Sequence, residues 1–185
     1  VLVVFVAAAL AFTATTLQPL QAENVRNEKM QNILSTIGEN VQRDQAQTEF
    51  DKYVKQSLAL KIDGTVDTEV NAFSLDLKKE LSKPVDQQRF PIYIAEKDGK
   101  TFYVAPLYGA GLWDAIWGYV ALADDENTVV GASFDHKGET PGLGAEINQS
   151  WFEDQFVGKM ILDENQNFVS VRAVKGGAKA DDIHG

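Results

Sequence analysis

Two glycine-bearing segments hold the residues best suited to chemistry. The first is Leu107-Tyr-Gly-Ala-Gly-Leu-Trp113; the second is His136-Lys-Gly-Glu-Thr-Pro-Gly-Leu-Gly-Ala-Glu146. Glycines let a backbone approach a flat ligand or a phosphate and adopt positive φ. A loop that runs into a helix start offers free N–H donors to an anion. Leu112, Trp113, Pro141 and Leu143 could wall a ring system, while Thr140 brings a hydroxyl and Glu139 a carboxylate. That mixture suits a ligand with an aromatic face and polar edges. Read singly, each segment is turn chemistry. Two of them bracketing consecutive strands could share one pocket.

Other chemistry is poorly served. The chain has no cysteine, which removes thiolate metal sites, iron–sulfur clusters and a thiol nucleophile. Its two histidines are His136 and His184. His136, Glu139 and Glu146 form a mixed set in one loop, better read as turn residues than as a metal site. Ser133 and Ser150 lack the elbow context of a hydrolase nucleophile. Asp124-Asp125-Glu126 does not have calcium-loop spacing and reads as a solvated hairpin tip. No catalytic residue and no metal ligand is therefore assigned. The formal net charge of −10 argues against a nucleic-acid partner, which needs clustered cations. Lys175-Gly-Gly-Ala-Lys179 could meet a phosphate, or serve as a tail.

The 185 residues, 44% apolar and 10% aromatic, suffice for one folded domain with an appendage. Val1 to Phe12 is unbroken apolar, and no charge appears before Glu23. A helix over residues 1–17 would span ~26 Å, close to a ~30 Å hydrocarbon core. Gln-Ala-Glu at 21–23 is a poor signal-peptidase site because Leu20 stands where a small residue is wanted. The reading is an uncleaved membrane anchor over 1–22, the trailing part of a transmembrane helix. Residues 23–89 read as a polar helical lead-in. Its stripe is Val25, Met30, Ile33, Leu34, Ile37 and Val41, with Phe50, Tyr53, Val54 and Leu58 continuing at helical spacing. A further polar stretch ends at Pro84.

From residue 90 the period changes to two. Residues 90–95 and 101–105 flank Asp98-Gly99, a hairpin signature. Residues 114–122 and 127–134 form a second strand pair, 145–157 a helix, and 167–174 a last strand. The expected fold is α+β: an antiparallel sheet with packed helices, preceded by one N-terminal transmembrane helix. The domain carrying both glycine segments is 90–185.

The string Glu139-Thr-Pro-Gly-Leu-Gly-Ala-Glu146, after a strand and before a helix, resembles the FMN-binding domain of redox-driven membrane pumps. Gly111-Leu-Trp113 followed by Trp117-Gly-Tyr119 resembles the companion motif of one branch, the NqrC family of Na⁺-translocating NADH:quinone oxidoreductases. The RnfG family of the Rnf complexes is the next most similar. The resemblance covers essentially the whole chain. It implies a protein that carries one FMN within a larger complex and has no stand-alone catalysis. It also implies partner subunits, a bilayer, and placement in a bacterial inner membrane with the soluble domain in the periplasm. Carried onto this chain, the flavin would meet Gly111, Leu112, Trp113, Glu139, Thr140, Pro141, Gly142, Leu143 and Gly144, with Lys175 toward the phosphate. It further implies a phosphoester bond from FMN to a threonine in a Ser-Gly-Ala-Thr motif, expected beyond Gly185. The rival class is a membrane-tethered binding or assembly module with no redox role.

Overall fold

The computed structural model describes residues 2–179 and 181–184. Helix α1 (Leu2–Ser35) is 34 residues long, which is ~51 Å at ~1.5 Å per residue. Its N-terminal turns are apolar and exposed, with Leu2, Val3, Val4, Phe5, Leu10 and Phe12 all facing outward. By length and composition this helix can cross a membrane. The change from apolar to amphipathic sequence near residue 22 leaves no break in the backbone, so the apolar stretch and the stripe belong to one rod. Pro19 is accommodated inside it. Toward the C-terminal end Met30, Ile33 and Leu34 become fully buried.

Helix α2 (Ala46–Tyr53) packs against α1 and leads directly into strand β1 (Val54–Leu60). The helical period expected to continue through Val54 and Leu58 stops at Tyr53. The following residues pair antiparallel with β2 (Phe90–Lys97). Local spacing is compatible with both structures, and a partner strand roughly thirty to forty residues away decides the outcome. Between them lie short turns and helix α3 (Leu77–Leu81), whose N-cap Asp76 accepts from the Lys79 amide.

The remaining strands follow the expected hairpins. Strand β3 (Lys100–Ala110) turns back from β2 through Asp98 and Gly99, at φ 52° and 74°, the paired positive values a two-residue hairpin demands. Strands β4 (Ala115–Leu122) and β5 (Val129–His136) complete a five-stranded antiparallel sheet in the order β1-β2-β3-β4-β5. The α+β expectation with an antiparallel sheet is met.

Register places the core. Tyr93 stands opposite Val104, and Val104 opposite Ala121, so these side chains share one face. All three are fully buried with Met30, Ile33 and Leu34 of α1. Phe50, Phe73 and Tyr93 meet edge to face at 5.4–6.2 Å. A second aromatic group forms around Phe134 of β5, against Phe152 and Phe156 at 5.9 and 4.9 Å. These two come from the expected helix 145–157, which is instead a chain of short pieces around α4 (Ser150–Glu153). The expected strand 167–174 shortens to β6 (Arg172–Val174). It pairs in parallel with β7 (Asp182–His184).

Candidate functional site: two loops joined by a buried carboxylate

The antiparallel register brings both glycine segments to one end of the sheet. Leu107 to Ala110 belong to β3, and Ala110 stands opposite Ala115, so the first loop is only Gly111 to Asp114. Ile116 stands opposite His136, which puts the chain leaving β5 beside that loop. The second loop therefore starts where the first one ends.

Glu139 ties them together. Its side chain is buried in a surface-exposed loop, at 7% exposure. Oε1 accepts from the backbone N–H of Trp113 at 3.0 Å and of Asp114 at 3.3 Å. A second tie runs in the same sense, the indole Nε1 of Trp113 donating to the Thr140 hydroxyl at 3.1 Å. A third is the ion pair of Lys137 with Asp114 at 2.9 Å, which also holds the Asp114 carboxyl below its usual range. The Lys137 amide adds a bond to the Ala115 carbonyl at 3.0 Å.

The carboxylate explains two of the glycines. A Cβ on Gly111 would collide with Glu139 Oε1, and would lie 2.8 Å from the Asp114 carbonyl. A Cβ on Gly144 would sit 2.8 Å from Glu139 Oε2. Both positions are kept clear for the carboxylate rather than for an external ring. Gly142 differs: its φ is +75° and nothing lies within 4 Å of its Cβ position, so this stretch of backbone faces open space.

The outer surface is apolar. Leu112 is 82% exposed, Trp113 70% and Leu143 71%, and Pro141 is exposed beside them. A hollow of about 230 Å³ lies against the first loop, lined by Tyr108, Gly111, Trp113 and Asp114 among others. That is below the ~300 Å³ of an enclosing small-molecule pocket. The loops thus offer a platform with apolar walls and the Thr140 hydroxyl at its edge. Such a surface fits a flat ring with polar edges.

The residues weighed as a metal set are spent within the loop. His136 Nδ1 accepts from the Glu139 amide at 3.2 Å, and Glu146 Oε1 from the Gly142 amide at 2.9 Å. Lys175 makes no hydrogen bond or ion pair with either loop among the described residues; it follows β6 in a turn. Sequence reasoning misses Asp114 and Lys137. Their signal is their place and opposite charge: Asp114 directly follows the first glycine segment, and Lys137 stands at the start of the second.

Residues 111–184 match the FMN-binding domain family, a span that contains both loops. The matched span is an FMN-binding domain, in a chain whose N-terminal helix is long and apolar enough to cross a membrane. The NqrC protein of the Na(+)-translocating NADH-quinone reductase from Vibrio anguillarum is 30% identical over 93% of this chain and 73% of its own. The Pseudomonas aeruginosa counterpart is 31% identical over 94% and 72%. The crystal structure of the Parabacteroides distasonis counterpart superposes with a TM-score of 0.83 at 37% identity, covering 91% of this chain and 82% of that one. NqrC from Shewanella oneidensis superposes at 0.72 with 30% identity, covering 86% and 81%. The chain belongs to the NqrC family of the Na(+)-translocating NADH-quinone reductases. Its relatives are named as subunits of an oxidoreductase complex.

Proposed function

We propose that this chain holds one FMN on the paired loops and relays electrons within a membrane NADH:quinone oxidoreductase that translocates Na⁺. The observation that carries the reading is the joining of the two loops, through Glu139 and the Trp113–Thr140 bond, inside the span that matches an FMN-binding family. A larger hollow of about 560 Å³ lies between α1 and β4. Most of its wall, from Ala22 to Asp76, falls outside that span, so the loops are the better seat.

When bound, FMN supplies reversible electron transfer; the protein supplies position and electrostatics. Leu112, Trp113, Pro141 and Leu143 exclude water from the ring faces. The Thr140 hydroxyl and the exposed backbone at Gly142 meet polar edges. Gly111, Glu139 and Gly144 belong to the same site from beneath. Lys175 is assigned to the phosphate, on the family resemblance alone. That resemblance also supports a phosphoester link to a threonine, partner subunits in the membrane, and a periplasmic domain hung from α1 in the bacterial inner membrane.

Titration of the purified protein with FMN, followed by flavin fluorescence, tests the reading. Saturable binding should weaken in Thr140→Ala and Leu143→Ala with the thermal midpoint unchanged, both side chains being exposed. Equal affinity in wild type and both variants would refute it. The covalent link predicts a fluorescent band on a denaturing gel from the full-length gene product matured with a flavin transferase.

A further inference from the structure

We infer that Glu139 is the positioning residue of the flavin site: its carboxylate sets the relative placement of the two loops instead of serving as a flavin contact. The inference rests on the reading of these loops as the FMN seat. Three observations carry it. Oε1 is shared by two consecutive backbone amides of the other loop, the arrangement by which a short anion-binding nest holds its ligand. Both oxygens lie against glycines, Oε1 at Gly111 and Oε2 at Gly144, so the carboxylate fills space between the loops instead of pointing out at the platform. No ion pair involves Glu139 among the described residues, although Lys137 lies two positions away and pairs with Asp114.

The consequence is mutual dependence. A buried carboxylate whose hydrogen bonds come from backbone amides is tolerated only while those amides converge on it. If the Gly111–Asp114 turn opens, the acceptor is left buried and unpaired. If the acceptor is withdrawn, two amides lose their partner and the indole of Trp113 loses the backbone anchor that aims it at Thr140. The main chain on the Glu139 side is itself pinned, its amide donating to His136 Nδ1. Glu139 therefore acts on the ring through Trp113 and the turn that carries it.

What matters in this arrangement is an acceptor at the reach of Oε1. Glutamine retains one; aspartate, shorter by one methylene, cannot meet both amides. The test compares Glu139→Gln, Glu139→Asp and Glu139→Ala, with Leu143→Ala as control, in the full chain titrated with FMN. Amide hydrogen exchange at Trp113 and Asp114 is measured on the same proteins without flavin. The expected result is FMN affinity within about threefold of wild type for Glu139→Gln and a loss above roughly tenfold for Glu139→Asp. Protection of the two amides should be kept in the first and lost in the second. Should Glu139→Ala not fold, the Gln–Asp contrast still decides. Wild-type affinity in Glu139→Asp, with Leu143→Ala impaired, would overturn the positioning role while leaving the flavin seat standing. Equal damage from Gln and Asp would also overturn it, since the charge itself would then be required. If Leu143→Ala binds FMN as wild type does, the seat is elsewhere and both readings fall.

Discussion

The two ends of the sheet are built on opposite terms. Where α1 and α2 cover it, Met30, Ile33, Leu34, Tyr93, Val104 and Ala121 are at most 1% exposed, and aromatic rings interlock edge to face. Past Val129, Ile183 is the one buried apolar residue among those described, while Leu143, Trp151, Val157, Met160, Phe168 and Val169 are exposed. The buried groups there include two carboxylates, Glu139 and Asp182, each holding loop backbone or an arginine. One end spends its apolar residues on the fold. The other packs only the Phe134, Phe152 and Phe156 rings together, leaves those exposed apolar residues outward, where a ligand or partner can use them, and ties its loops with hydrogen bonds.

If that division is right, damage should separate cleanly. Leu34→Ala should cost about 3 kcal/mol, within the range for truncating a buried leucine, and lower the thermal midpoint by roughly 6–12 °C. FMN bound per folded molecule should not change. Scanning calorimetry with flavin absorbance on the same samples checks both, and a parallel loss of flavin would break the separation. Thr140→Ala should do the reverse. It removes the acceptor for the Trp113 indole and a polar contact to the ring, worth ~1 kcal/mol, or about fivefold in FMN affinity. Its thermal midpoint should stay within about 2 °C of wild type.

Lys29 sharpens the contrast at the packed end. Its ammonium donates to the Phe73 carbonyl at 2.6 Å and lies over the rings of Phe73 and Tyr93 at 4.6 and 5.7 Å. Burial nevertheless pulls its pKa down to about 8, the nearby Asp76 opposing the shift. A base with a lowered folded pKa holds fewer protons when native than when unfolded. Stability should therefore rise with pH between about 8 and 10.5, by ~1–2 kcal/mol once partial exposure is discounted. Denaturant melts of wild type and Lys29→Met across that window check it, the variant giving the flatter profile. A gain instead of a loss is expected at Tyr93, whose fully buried hydroxyl has no hydrogen-bond partner among the described residues. Tyr93→Phe should gain about 1 kcal/mol, read as a higher denaturation midpoint.

Legibility in the sequence follows the range of the forces involved. Asp98-Gly99 announces its hairpin because two residues suffice to make that turn. The glycine segments are visible as loops, and their pairing follows from consecutive antiparallel strands. Val54 to Leu60 reads as helix because Phe50, Tyr53, Val54 and Leu58 satisfy a helical period, while the ladder with β2 that overrides it is non-local. The change in composition near residue 22 is visible; that the helix runs through it is not, because nothing in composition marks continuity. The parallel pairing of β6 with β7 has no local signal and is accompanied by Arg172 reaching Asp182 at 3.0 Å. Within the site, residue types are legible and roles are not. Gly111 and Gly144 look like room for a ring, and the structure gives that room to the Glu139 carboxylate.

The crystal structure of the FMN-bound protein tests the central claim most directly. The isoalloxazine ring should lie in van der Waals contact with Trp113 and Leu143. The Thr140 hydroxyl should be within hydrogen-bond distance of the flavin, and Glu139 still on the Trp113 and Asp114 amides. A flavin seated instead between α1 and β4, against Lys29, Phe73 and Trp117, would contradict it.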